Sequence, residues 1–391
     1  MRRRTFLTTS ALALCGVSLR ATGAESSALR TLVGGRRNRS TVHFEPVQVS
    51  FDRIVRTTVG LRPHRDSGFV LRADALGEKT VIHNYGHGGA GMSLAWGTAA
   101  IAADMALKHK ERRAAVLGCG SPGLTAARQL QRRGFTVTIY TKTVPPDTTS
   151  NMSLAAFTPT SGLVEASRRT PAWDRQFRKA ADISYRQLQQ LAGRDYGVYW
   201  IDQFTATDDP DTPANRSDDG GLSEILRPTR EREILGPGEH PFPTKFAIRT
   251  PSLSIEPGVY LDRLVADFRK AGGRIVIRTF DAPHDLMSIP EKLIVNCTGL
   301  GSATLFNDEE LVPVKGQLSL LVPQPEVRYR VSARLVDADG VATSVSMNPR
   351  SDGIVIGNLQ ERGSWSLDPS DDVRERNITA AMQFFGSMRV T

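Results

Sequence analysis

The chain has 391 residues, 40% of them hydrophobic and 23% charged, which is enough to bury a large core and suits a soluble globular protein of about two domains. Its net charge of +9 is not gathered into long basic runs, and no aromatic platforms accompany it, so nucleic-acid binding is excluded as a leading role while affinity for small anions stays compatible. Three cysteines argue against a disulfide framework.

In chain order, the N-terminus reads as an export signal. Arg3-Arg4-Thr5-Phe6-Leu7 is a twin-arginine pattern, residues 8–19 are short and mildly apolar, and Thr22-Gly23-Ala24 offers small residues for cleavage. The apolar run is too short to span a bilayer, so stable membrane insertion is not expected. A lipoprotein reading through Cys15 is weakened by the bulky Leu14 before it. Residues 1–24 are therefore expected to direct twin-arginine export of a folded protein, by the Tat machinery, to the periplasm or beyond. Residues 25–40 are polar, rich in Arg and Ser, and read as a linker.

Strand-like stretches follow between Thr41 and Thr80, including Val42-His-Phe44 and Ile54 to Val59. Residues 91–109 read as a helix with Leu94, Ala95, Ala99 and Ala102 on a small-residue face. Residues 173–192 look helical, and 207–222 read as an exposed loop. Pro257 opens another helix, Tyr260 to Lys270, stopped by Gly272-Gly273. Arg274 to Arg278 and Lys292 to Cys297 read as strands. Alternating segments around 317–358 predict an antiparallel sheet, and Arg374 to Phe385 a last helix.

The most informative segment is 113–142. Ala114-Ala-Val-Leu117 leads into Gly118, Gly120 and Gly123 at G-x-G-x-x-G spacing, with Ser121 and Pro122 opening a helix and Phe135 to Tyr140 forming a second strand. That strand–turn–helix–strand context gives the spacing its meaning. The first glycine allows the tight turn, the second lets backbone approach a pyrophosphate, and the third lets helix pack on strand. The helix N-terminus then faces the phosphates. Dinucleotide binding is expected, against the plain alternative of a tight turn. More than a hundred residues precede this unit, whereas such units usually open a chain.

A second glycine loop lies at 81–97, Val-Ile-His-Asn-Tyr-Gly-His-Gly-Gly-Ala-Gly-Met-Ser-Leu-Ala-Trp-Gly. Its backbone N–H groups at a helix start suit negative charge. The string His83-Asn-Tyr-Gly-His-Gly-Gly89 resembles the C-terminal flavin motif of the D-amino acid oxidase and D-aspartate oxidase family. Val59-Gly-Leu-Arg-Pro-His-Arg65 resembles that family's substrate-carboxylate segment, and Asp147 to Ala156 its flavin-contacting threonine segment. Asn296-Cys-Thr-Gly-Leu300, Lys315-Gly-Gln317 and Gly353 to Trp365 resemble later parts, so most of residues 50–365 is covered. The order differs: in the family the dinucleotide loop comes first and the Leu-Arg-Pro and His-Asn-Tyr segments last. The chain looks circularly permuted, with residues 50–109 moved ahead of the loop and Lys110-Glu-Arg-Arg113 as the new link.

The resemblance implies an α/β fold, with an FAD-binding Rossmann-like domain plus a mixed or antiparallel-sheet substrate domain. It implies the following division: 41–80 and 194–255 with 315–365 in the substrate domain, 81–193 and 256–314 in the FAD-binding domain, and 366–391 as a C-terminal helix. It implies FAD held by Gly118, Gly120, Ser121, Pro122 and Gly123, by Thr148, Thr149 and Ser150, and by Gly88, Gly89, Ala90, Gly91, Met92 and Ser93. Arg62 is the expected anchor of a substrate carboxylate, since its planar fork matches one in two-point geometry, with Arg65 secondary. The carbonyl of Gly89 is the expected partner of the substrate amine. Four-residue spacing makes His83 and His87 a poor metal pair, and neither is given a catalytic role.

Two departures matter. The family's active-site tyrosine is expected shortly before a proline, and Ser346 stands there, before Pro349. An acid commonly ends the second strand to hold ribose, and Tyr140-Thr-Lys142 stands there instead. The expected activity is oxidation of an amino acid, D-amino acids favoured, to an imino acid and then keto acid and ammonia, with oxygen as acceptor and peroxide released. Alternatives are an FAD dehydrogenase of another small acid or amine with a non-oxygen acceptor, a flavin-binding protein with little turnover, and nicotinamide binding through the 118–123 loop.

Overall fold

A computed structural model describes residues 44–154, 156–193, 195–211, 221–226, 232–336, 342–357 and 360–389. The expected export signal, the linker and most of the 207–222 loop lie outside the described residues. In chain order come β1 (Ile54–His64), β2 (Val70–Leu76), β3 (Lys79–Tyr85), the helix Gly91–Ala106, β4 (Arg113–Leu117), the helix Ser121–Gln131 and β5 (Thr136–Thr141). The helix Pro171–Leu191 precedes β6 (Val198–Thr207), β7 (Glu233–Leu235) and β8 (Phe246–Ile255). The helix Pro257–Lys270 is followed by β9 (Arg274–Ile277), β10 (Leu293–Asn296), β11 (Val312–Leu321), β12 (Tyr329–Val336), β13 (Ala342–Arg350), β14 (Gly353–Ile356), β15 (Glu361–Arg362) and the helix Asp371–Gly386.

Six strands form one sheet in the order β2-β3-β10-β4-β5-β9. From β3 to β9 neighbouring strands are parallel, and β2 pairs antiparallel with β3. Its central strands read as continuous apolar runs because helices cover them: Ala114 to Leu117 and Leu293 to Val295 are all buried. The helix Gly91–Ala106 is apolar nearly all round and sits between the helices Ser121–Gln131 and Pro171–Leu191. Gly97 makes the second contact possible. A Cβ there would stand 1.9 Å from the Ala180 carbonyl oxygen, and the Gly97 N–H donates to Ser184 Oγ at 2.8 Å. The helix Pro171–Leu191 starts where Thr170 accepts from the Trp173 N–H and Pro171 occupies the first turn.

The larger sheet runs β1-β11-β14-β13-β12-β6-β8-β7, with β15 added to β11. Every pairing in it is antiparallel except β12 with β6. The expected antiparallel region around 317–358 is therefore one half of a mixed sheet. Phe204, Phe242, Tyr329 and Phe384 pack on one face, where the last helix docks. The Tyr329 hydroxyl donates to the Glu45 carbonyl at 3.1 Å and lies 3.9 Å from Met388 Sδ, so the first and last described segments meet at one side chain.

Candidate active site

The first glycine loop is built by backbone constraint. Gly118 follows β4 at φ +102°, and a Cβ on it would lie 2.6 Å from the Cys297 carbonyl oxygen. Gly123, in the first helical turn, packs so closely that its Cβ would stand 2.0 Å from the Gly118 carbonyl oxygen. Gly120 faces Ser150, whose Oγ accepts the Ser121 N–H at 3.0 Å. Thr148, Thr149 and Ser150 are thereby placed at the same helix N-terminus as Gly118, Gly120 and Pro122, all lining one cavity of about 1190 Å³. Ser121 Oγ is buried with no hydrogen-bond partner in the protein, and Gly123 supports the turn from behind. Ser121 and Gly123 do not line the cavity; Gly118, Gly120 and Pro122 do, and a glycine turn at a helix start is the kind of place a phosphate occupies.

The second loop closes the other end of the cavity. Gly88 adopts φ +51°, and Gly88, Gly89, Gly91 and Met92 line the space. Ala90 and Ser93 do not. Ala90 is fully buried, and Ser93 Oγ donates to the Ala156 carbonyl and accepts the Thr158 N–H, tying down the strap from Ala156 onward. His87 lies beneath the loop, 2% exposed, stacked on Phe69 and 3.1 Å from Thr98 Oγ1. Burial pushes its imidazole down to about 4, so it is neutral near pH 7. His83 lies outside the cavity, between Asp74 and Asn296, and burial lowers its pKa too. Cys119 and Cys297 are free and buried, their thiols pushed up to about 12.

Arg62 comes from β1, whose partner β11 sets Gly60 opposite Gly316. The guanidinium lies flat over Gly316: a Cβ there would meet Nη1 at 2.6 Å and Nη2 at 2.7 Å. Its stem passes Gly89, where a Cβ would stand 3.5 Å from Arg62 Cδ. Arg62 and Gly89, nominated from opposite ends of a segment, are thus neighbours on the cavity wall. Desolvation lowers the arginine's pKa from its usual value. Arg65 is not part of this site. It pairs with Asp308 at 2.9 Å and Glu310 at 2.6 Å and fixes the turn behind it.

Several lining groups carried no usable signal in the sequence. Gly316 was visible only as the middle of Lys315-Gly-Gln317. Across the sheet, register places Arg330 opposite Gln203 and Gln203 opposite Thr250, and sets Ser332 opposite Ser346. All these side chains line the cavity, and buried Arg330 reaches Ser252 Oγ at 3.4 Å. Ser346 therefore faces the site at the position where a tyrosine was expected. Among the described cavity residues the tyrosines are Tyr85 and Tyr140, and both hydroxyls donate to carboxylates, of Asp308 and Glu291. At the opposite end, Lys142 lines the cavity beside Arg278, whose guanidinium stacks 4.7 Å from the Phe280 ring.

A parallel sheet whose glycine loop opens a cavity shared with a buried arginine is the arrangement of a dinucleotide-dependent oxidoreductase. The FAD dependent oxidoreductase (DAO) family profile matches residues 37–105 and 113–391, so the chain belongs to that family and FAD is its cofactor. It is 26% identical over 270 residues to a D-amino acid oxidase of Dugesia ryukyuensis, covering 66% of this chain and 73% of that one. It is 28% identical over 267 residues to the D-amino-acid oxidase of Rubrobacter xylanophilus, covering 67% and 74%. Human D-aspartate oxidase is 25% identical over 262 residues, covering 66% and 71%. Among solved structures, glycine oxidase from Bacillus cereus aligns over 72% of this chain and 81% of its own at 13% identity and a TM-score of 0.49.

Proposed function

We propose that this protein oxidises an amino acid, D-amino acids by preference, at the cavity between the two glycine loops. The observation that carries the reading is the Arg62 guanidinium spread over Gly316 beside Gly89, in the same cavity as the Gly118 loop. Bound FAD supplies the acceptor for a hydride. Arg62 grips the substrate carboxylate through two parallel N–H donations. The Gly89 carbonyl accepts from the amine, which turns the α-carbon toward the cofactor. The first turn of the helix Gly91–Ala106 supplies positive partial charge where electron density arrives. The strap Thr158 to Ser161 lines that side. The product imino acid hydrolyses to a keto acid and ammonia, with oxygen as terminal acceptor and peroxide as by-product. The names of the curated relatives support the substrate class.

The deciding experiment is a visible spectrum of the purified protein before and after D-alanine or D-aspartate under nitrogen. Bleaching of the flavin bands supports the reading, and a yellow protein indifferent to a panel of D- and L-amino acids sinks it. Ser346 favours one second reading, a flavin-binding protein with little turnover. It predicts a yellow protein inert both to amino acids and to artificial acceptors.

We further infer that the chain is a circular permutation exported through its twin-arginine signal. The family profile breaks between residues 105 and 113, at the link from the helix Gly91–Ala106 to β4. Glu45 and Met388 both reach Tyr329, so a chain running from the last helix into β1 needs only a short connection. A gene rearranged to begin near Arg113 and to join residue 391 to Val42 is expected to fold and bind FAD with a melting temperature within a few degrees; an insoluble product counts against the inference. For export, periplasmic recovery lost on Arg3→Lys with Arg4→Lys is the expected result, and unaltered fractionation refutes it.

A further inference from the structure

His64 stands two residues beyond Arg62 on the same face of β1 and is 6% exposed. Its Nδ1 lies 3.0 Å from the Gly162 carbonyl oxygen. Its Nε2 lies 3.2 Å from Asp66 Oδ1 and 3.9 Å from Glu165 Oε1. A carbonyl and an ionised carboxylate only accept hydrogen bonds. A neutral imidazole carries one N–H and would set a lone pair against one of them. Only the ring with both N–H groups satisfies both sides.

The groups around the ring are themselves charged. Burial opposes ionisation of Asp66, but the Arg362 guanidinium at 2.6 Å and His64 outweigh it and hold the carboxyl below its usual range. The groups facing the ring are Asp66 just past β1, Glu165 on the strap and Arg362 on β15, behind Asp66. With the ring protonated, two positive charges meet two negative ones. The same three ligand atoms would suit a cation. Arg362 already occupies Asp66 Oδ1, however, and Glu165 is half exposed, so a proton fits better than a metal.

What the ring holds is the strap over the cradle. A Cβ on Gly88 would stand 1.9 Å from the Gly162 carbonyl oxygen, the atom that His64 binds. Ser161 presses on Gly89 in the same way, and the Glu165 N–H donates to the Asp66 carbonyl at 2.9 Å. We propose that doubly protonated His64 is a positioning residue that pins the 158–165 strap onto the Gly88–Gly89 turn, so that the strap loosens as the ring loses its proton. The consequence for turnover rests on the amino-acid reading above; the tie itself does not.

The test is hydrogen exchange on the full-length FAD-loaded protein between pH 5.5 and 8.5, corrected for intrinsic exchange, with the Glu165 amide as reporter. Protection there is expected to be about tenfold lower at the alkaline end of that range than at the acid end. In His64→Asn the carboxamide donates to Gly162 at every pH, and the fall disappears. Asp66→Asn, which removes the charge partner, moves the fall to lower pH. A pH-independent wild type, an unchanged fall in His64→Asn or an unmoved midpoint in Asp66→Asn overturns the proposal. So does protection stripped by EDTA and restored by zinc, which would make the cluster a metal site. With D-alanine as substrate, KM should climb with pH along the exchange curve while kcat stays level. Absence of turnover with every member of the D- and L-amino acid panel, with the exchange curve intact, would strike the amino-acid reading and leave the tie standing.

Discussion

The two ends of the cavity are made by different means. At the Gly118 loop the ligand surface is backbone, and each glycine is forced by what a Cβ would hit: carbonyl oxygens at 2.6 Å and 2.0 Å for Gly118 and Gly123. At the other end, the proposed substrate end, the surface is side chains, Arg62, Gln203, Arg330, Ser332 and Ser346, brought together by pairings between strands. Backbone sites tolerate almost no substitution and take any ligand of the right phosphate spacing. Side-chain sites can be rewritten one residue at a time without disturbing the fold. A family can therefore keep its cofactor while changing its substrate, and Ser346, where the resemblance led to the expectation of a tyrosine, lies among the side chains of the second kind.

The largest expected effect comes from breaking the backbone end. Gly123→Ala sets a methyl 2.0 Å from a carbonyl that cannot rotate away, because Gly118 is itself held by Cys297. Overpacking of this kind costs about 1–3 kcal/mol, and here the turn that presents N–H groups to the phosphates must shift as well. The expected product is a colourless or insoluble protein. A yellow Gly123→Ala protein with unaltered melting temperature would show that the turn has slack the packing does not suggest.

Next in size are changes at the side-chain end, which should leave the colour intact. Arg62→Lys removes the planar fork but keeps the charge. Loss of one of two charge-assisted hydrogen bonds is worth about 1.5–3 kcal/mol, or roughly a hundredfold in kcat/KM. Gly316→Ala is expected to resemble it without touching Arg62, since the new methyl would occupy the place of the guanidinium at 2.6 Å. Unchanged FAD absorbance with reduced kcat/KM in both variants is the expected pattern. A Gly316→Ala enzyme as active as wild type would mean that the arginine works from another position.

The same contrast explains what could be read in advance. The helices Gly91–Ala106, Pro171–Leu191 and Pro257–Lys270 were legible within a few residues, because periodicity and glycine or proline stops are local. The glycine loops were legible because steric necessity leaves one residue type. The parallel pairing of β12 with β6 was not, since nothing near Tyr329 records a partner more than a hundred residues away. For the same reason Arg330 looked like any strand arginine, and Arg65 looked like a reserve ligand until Asp308 and Glu310 were seen to hold it. Whether a charge serves the site or the scaffold is decided by register, which composition and spacing do not carry.

His87 gives the smallest effect and the sharpest comparison, because it belongs to the backbone end yet titrates. Burial holds its imidazole at about 4 in the folded protein, against 6.5 for the free group. Between those values the unfolded chain takes up a proton that the folded one refuses, so stability present above pH 6.5 drains away as the pH falls toward 4. The loss is about 1 kcal/mol by pH 5.5. Buried His83 moves in the same direction, so the quantity to measure is the difference between wild type and His87→Gln in denaturant midpoint at pH 7 and pH 5.5. Wild type should lose about 1 kcal/mol more than the variant over that interval. Equal losses would mean that the imidazole under the second loop meets water in the folded state, and that the Gly88–Gly89 turn opens far more readily than its packing against Gly162 implies.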